Sequence, residues 1–94
     1  MLRVVSVKHV RDYILEIKFD DDSGGELDIS KFIPFDGVFD PLNRPEFFKR
    51  FRINKKWGTL EWPGNLDLDT EALHSAVTGK PVSDGLKRKV KNYA

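Results

Sequence analysis

The sequence predicts an α+β domain: an antiparallel β-meander of three strands plus one short later strand, packed with two short helices. Three observations carry this. From Tyr13 to Asp20, apolar and polar residues alternate with the period of a strand that has one face in water. The cluster Asp21-Asp22-Ser23-Gly24-Gly25 has turn composition and separates that segment from another β-prone one. Late in the chain, Asp69 and Gly79 bracket an apolar pattern as a helix start and stop.

The elements follow in chain order. Val4, Val5, Val7 and Val10 form a β-branched opening run, the first strand. Arg11-Asp12 sits at a turn. In the second strand Tyr13, Leu15, Ile17 and Phe19 point inward, and Glu16, Lys18 and Asp20 point outward. Ile14 breaks the alternation on the polar side. Glu26-Leu27-Asp28-Ile29 returns as the third strand, so residues 3–30 read as a meander. Lys31 to Asn43 is irregular, interrupted by Pro34, Gly37 and Pro41. Its apolar Phe32, Ile33, Phe35, Val38, Phe39 and Leu42 predict a loop folded back over the sheet.

Asn43-Arg44-Pro45-Glu46 predicts a helix start, with Asn43 as cap, Pro45 in the first turn and Glu46 as a capping-box acid. Phe47, Phe48 and Phe51 then share one helix face. Thr59 to Trp62 is a short strand stopped by Pro63-Gly64. Residues 70–78 form the second helix. Asp69 is its N-cap, Leu68 and Leu73 make a hydrophobic staple, and Glu71 suits the positive end of the helix dipole. Leu73, Ala76 and Val77 form its inward stripe; Gly79 and Pro81 end it. Residues 1–80 make one domain. Residues 81–94 form a basic tail, a short docked helix or a disordered end, in which Leu86, Val90 and Tyr93 have helical spacing.

Composition excludes several classes of function. The 94 residues leave room for one core. Hydrophobic residues at 39% and charged residues at 33% suit a folded chain. With no cysteine there is no disulfide, thiolate metal site or cysteine nucleophile. No apolar run approaches the roughly 20 residues of a membrane helix. The N-terminus lacks signal-peptide features, so the expected compartment is the cytoplasm. The net charge of +1 is split unevenly. Residues 79–94 carry five basic groups against one acid, +4; the other eleven basic and fourteen acidic groups give the body −3.

The order of these features, with Trp62-Pro63-Gly64-Asn65 followed by Asp67-Leu68-Asp69 and Leu73, resembles a family of small bacterial proteins, domain-of-unknown-function family 2442. The resemblance spans about residues 1–80. It implies an α+β fold. Some members carry an added helix-turn-helix, for which this chain ends too soon. Others are encoded beside another small protein, in pairs that look like toxin–antitoxin modules. The resemblance implies no catalytic residue.

Candidate sites divide into weak and usable ones. Asp67, Asp69 and Glu71 alternate like the opening of a calcium loop, but Ala72 replaces the glycine such loops need at the sixth position and Thr78 stands at the twelfth. Capping and turn chemistry explain these acids better. Glu71 and His74 form one Glu-x-x-His pair where a di-iron centre needs two. Glu61 beside Trp62 would serve acid–base chemistry only if buried; an exposed strand carboxylate is the simpler expectation. No metal, cofactor or catalytic residue is therefore assigned, and the expected class is non-enzymatic.

Two surfaces remain. Phe35, Phe39, Trp57 and Trp62 are the candidate protein-interaction residues, with Trp62 expected mostly in the core and Trp57 more exposed. Lys49, Arg50, Arg52, Lys55 and Lys56, interleaved with aromatics, are candidate nucleic-acid contacts together with the basic tail; the solvated side of the first helix and its turn is the simpler account of the five. The leading expectation is a module that binds another small protein or itself, with no membrane involvement. Nucleic-acid binding is the alternative.

Overall fold

The β-branched and alternating segments at the start of the chain form the first layer of the fold. In a computed structural model, which describes residues 1–79, β1 (Val4–Arg11), β2 (Ile14–Phe19) and β3 (Gly24–Asp28) make an antiparallel sheet in the order β1-β2-β3. The expected meander is present. Leu15, Ile17 and Phe19 are buried on its inner face, as the alternation requires.

The valines of β1 do not all follow that rule. Val4 pairs with Phe19 and Ser6 with Lys18, then His9 with Leu15 and Arg11 with Ile14. One extra β1 residue sits at each shift, Val5 and Val10. These bulges turn both side chains out to solvent while Val4 stays buried.

The third strand begins and ends earlier than expected. Gly24 and Gly25 belong to the strand rather than the turn, and Ile29 leaves it to start a helical turn, α1 (Ile29–Phe32). Asp28 decides this. Its carboxylate accepts from the Ser30 N–H at 3.0 Å and from the Ser30 hydroxyl at 2.6 Å, a helix-start geometry that ends the strand. Bare backbone at Gly25 also has a use: a Cβ there would lie 3.3 Å from Val77, so the last helix packs directly on β3.

The apolar loop is more regular than its prolines suggest. It contains a 3-10 helix, Gly37–Asn43, with Leu42 fully buried. Asn43 does not cap the next helix; that position falls to Arg44. The Asn43 amide instead donates to the Phe35 and Asp40 carbonyls at 2.8 and 3.1 Å, closing the loop on itself. α2 (Pro45–Phe48) is a single turn, so Phe51 lies beyond it and not on its face. Of its phenylalanines Phe48 is fully buried, ringed by Tyr13 at 4.9 Å, Trp62 at 5.8 Å and Phe35 at 6.3 Å.

A second small sheet follows: β4 (Arg52–Ile53), β5 (Leu60–Trp62) and β6 (Leu66–Asp67), antiparallel in that order. Only β5 was legible in advance, because two-residue strands carry no periodicity. Leu60 and Trp62 on β5 are fully buried. The Trp62 indole N–H donates to the Phe48 carbonyl at 2.7 Å, which satisfies its one polar atom inside the core.

α3 (Thr70–Thr78) begins and ends as expected. Asp69 accepts from the Ala72 N–H at 2.8 Å, and Gly79 takes a left-handed conformation with its N–H on the Ser75 carbonyl. Leu68 and Leu73 are both buried, forming the staple. The inward stripe differs: Ala76 is exposed, and Thr70, Leu73 and Val77 face the sheet. The tail expected over residues 81–94 lies outside the described residues.

Candidate partner-binding cleft

The site is built around the loop between β4 and β5. Asn54 organises it. The Asn54 side-chain oxygen accepts the Lys56 and Trp57 N–H groups, both at 2.9 Å, and its carbonyl accepts the Gly58 N–H at 2.7 Å. Arg3 then fastens the loop to the start of β1 through hydrogen bonds from its guanidinium to the Lys55 and Lys56 carbonyls. The Val4 N–H donates to the Gly58 carbonyl at 2.8 Å, completing the strap. These bonds fix the backbone that carries Trp57.

Trp57 is 55% exposed, although the loop beneath it is tied by these six hydrogen bonds. Its ring borders an open cleft of about 450 Å³. Met1 and Leu2 supply further apolar wall, Thr59 and Leu68 lie between, and Asp67, Asp69 and Glu71 bring carboxylates. Among the described residues no Lys or Arg lines it. The Thr59 hydroxyl is buried and has no hydrogen-bond partner among the described residues.

The expected interaction residues do not form one surface. Trp62 is fully buried and belongs to the core, so it is removed from the candidate surface. Phe35 and Phe39 are half-buried against the core, Phe35 edge-on to Tyr13 at 5.1 Å, and neither lines the cleft. Trp57 alone of the four combines high exposure with the cleft. Met1 and Leu2 carried no sequence signal for this role; only the packing of the chain start beside the β4–β5 loop brings them in.

The five cations expected to contact nucleic acid are all exposed. Arg52 is engaged: its Nε donates to Glu61 at 2.7 Å. The Lys56 ammonium lies 5.0 Å over the Trp57 ring, a cation–π contact. Glu61, weighed as an acid–base group, is half-buried and held by Arg52, with Asn54 also donating at 3.2 Å. The Arg52 guanidinium, and then the Asn54 amide, hold its carboxyl below the usual carboxylate range. A group tuned this way stays ionised, the opposite of a general acid at neutral pH.

His74 is half-buried on α3. It donates to Asp21 at 2.8 Å and stands edge-on to Phe19 at 4.8 Å, tying α3 to the β2–β3 turn. Asp21 is lowered to about 2, chiefly by the Ser23 hydroxyl and backbone N–H, with His74 adding to this. Among the described residues no group of three His, Asp or Glu side chains is placed to hold a metal ion, and no helix is long and apolar enough to cross a membrane.

A meander sheet, a second small sheet and short helices define an α+β domain, with the exposed Trp57 walling an open cleft. The chain belongs to the family described as protein of unknown function (DUF2442), matched over residues 4–79. No curated protein and no solved structure matches it.

Proposed function

We propose that this domain is a non-enzymatic protein–protein interaction module that presents the Trp57 cleft to another small protein, in an antitoxin-like pairing. The observation that carries the reading is the exposure of Trp57 on a loop held in place by Arg3 and Asn54. An exposed tryptophan on a mobile loop would lose much of its binding energy to ordering; one on a fastened loop does not. The gene pairing implied by the family resemblance adds a kind of partner. Co-expression with the product of the adjacent gene tests it. The two are expected to co-elute, and Trp57→Ala to weaken the complex. The proposal fails if they never co-elute and the neighbour is harmless to the cell without this chain.

A second reading, nucleic-acid binding, is favoured by the exposure of Lys49, Arg50, Lys55 and Lys56 within one short stretch. Phosphate contacts weaken steeply with salt. A gel shift at low salt that disappears at higher salt would support it, and no shift at low salt would end it.

A further inference from the structure

The cleft beside Trp57 carries chemistry that narrows its partner. One wall is apolar, from Trp57, Met1 and Leu2. The other side is anionic, from Asp67, Asp69 and Glu71, with no Lys or Arg lining it among the described residues. The cleft includes the start of α3, whose partial positive charge would ordinarily favour an anion. That preference is already met internally: Asp69 caps the helix and Glu71 stands in its first turn. A free phosphate or carboxylate entering here would meet three carboxylates. A cation would meet the same three carboxylates as opposite charges, and the Lys56 ammonium already lies 5.0 Å over the Trp57 ring, so an incoming segment meets that wall with its apolar part. At about 450 Å³ the open cleft has room for an anchoring side chain.

We infer that this cleft binds a cationic segment of another protein: a Lys- or Arg-bearing stretch whose apolar side chain packs on Trp57 while its charges face Asp67 and Glu71. This rests on the interaction-module reading and names the chemistry of the partner. It also sets the acidic side of the cleft apart from the basic stretch, which reaches the Trp57 wall through Lys56. Nucleic acid would be repelled from the cleft, whatever the Lys49–Lys56 stretch does.

The test uses the full chain and three eleven-residue peptides: one alternating Lys and Leu, one with Glu for Lys, and one with Ser for Leu. Binding is followed by tryptophan emission at low and moderate salt. The Lys/Leu peptide is expected to bind and to weaken as salt rises. The Ser-substituted peptide should bind at least about tenfold more weakly, and the Glu/Leu peptide not at all. The double variant Asp67→Asn/Glu71→Gln should weaken the Lys/Leu peptide roughly tenfold, as two exposed charge contacts allow. It leaves the Asp69 cap intact, so the helix start is preserved.

Several results overturn the inference. Equal binding of the Glu/Leu peptide would, and so would indifference to the double variant. Binding that emerges only after Lys87, Arg88, Lys89 and Lys91 are all changed to Gln would show that the chain's own basic residues are the occupant. A dimer in light scattering that is lost in Trp57→Ala would make a second copy the occupant. If the adjacent gene's product co-elutes equally with wild type, Trp57→Ala and the double variant, the module reading stands and this cleft is not its site. If that product never co-elutes while the Lys/Leu peptide binds as described, the cleft chemistry stands and the pairing is wrong.

Discussion

Gly58 joins the two sheets, and replacing it with alanine tests how rigidly they are joined. Its φ of +69° is left-handed, which costs a non-glycine residue roughly 1–2 kcal/mol. A Cβ would also stand 2.6 Å from the Arg3 Cβ, 2.8 Å from its Cγ and 3.0 Å from its Cα. Those atoms are the Cα and the root of the side chain of Arg3, the residue directly before β1, so relief requires moving the start of the strand. Overpacking of that kind adds about 1–3 kcal/mol. Gly58→Ala should therefore cost about 2–5 kcal/mol. Gly64 is the matched control: its φ is +87°, but a Cβ there would meet nothing within 4 Å. Gly64→Ala should show the backbone cost alone, about 1–2 kcal/mol. Urea unfolding of the three proteins gives both losses. In heat, the difference corresponds to about 4–8 °C per kcal/mol for a domain of this size. Equal losses at the two positions would show that Arg3 is not packed against the loop, and would remove the strap from the account of Trp57.

Other substitutions probe separate parts of the fold. Trp62→Phe leaves the Phe48 carbonyl without its indole donor in a buried site, which should cost about 1–3 kcal/mol beyond the lost volume; urea unfolding measures it. Trp57→Phe should remove the acrylamide-accessible fluorescence and leave the shielded emission of Trp62, so persistent strong quenching would contradict the burial pattern. Asp69→Ala removes the α3 cap and should cost about 1 kcal/mol, with Asn restoring most of it. Asp21 gives an acid dependence. Its folded-state value, about 2, is below the ordinary 3.8, so its contribution is complete above pH 4 and is lost as pH falls toward 2. Asp21→Asn should flatten the stability–pH curve in that window and change nothing near neutrality beyond a constant offset.

The sequence determined the parts of this protein that depend on near neighbours. The alternation of β2, the Asp69 cap, the Leu68–Leu73 staple and the Gly79 stop are local rules, and each is met. The burial of Trp62 was legible because a short apolar strand in so small a domain has only one core to enter. Tertiary structure decided the rest. Asn43 looked like a cap, but its amide found the Phe35 and Asp40 carbonyls, because the loop folds back within reach. Glu61 looked like an ordinary strand carboxylate, and its pairing with Arg52 depends on the register of β5 against β4, a two-residue strand too short to announce itself. The candidate cleft needs the chain start, the β4–β5 loop and the start of α3 in one place. Residues more than fifty positions apart meet there through Arg3 and the Lys55 and Lys56 carbonyls, and no periodicity in the sequence encodes a contact across that distance.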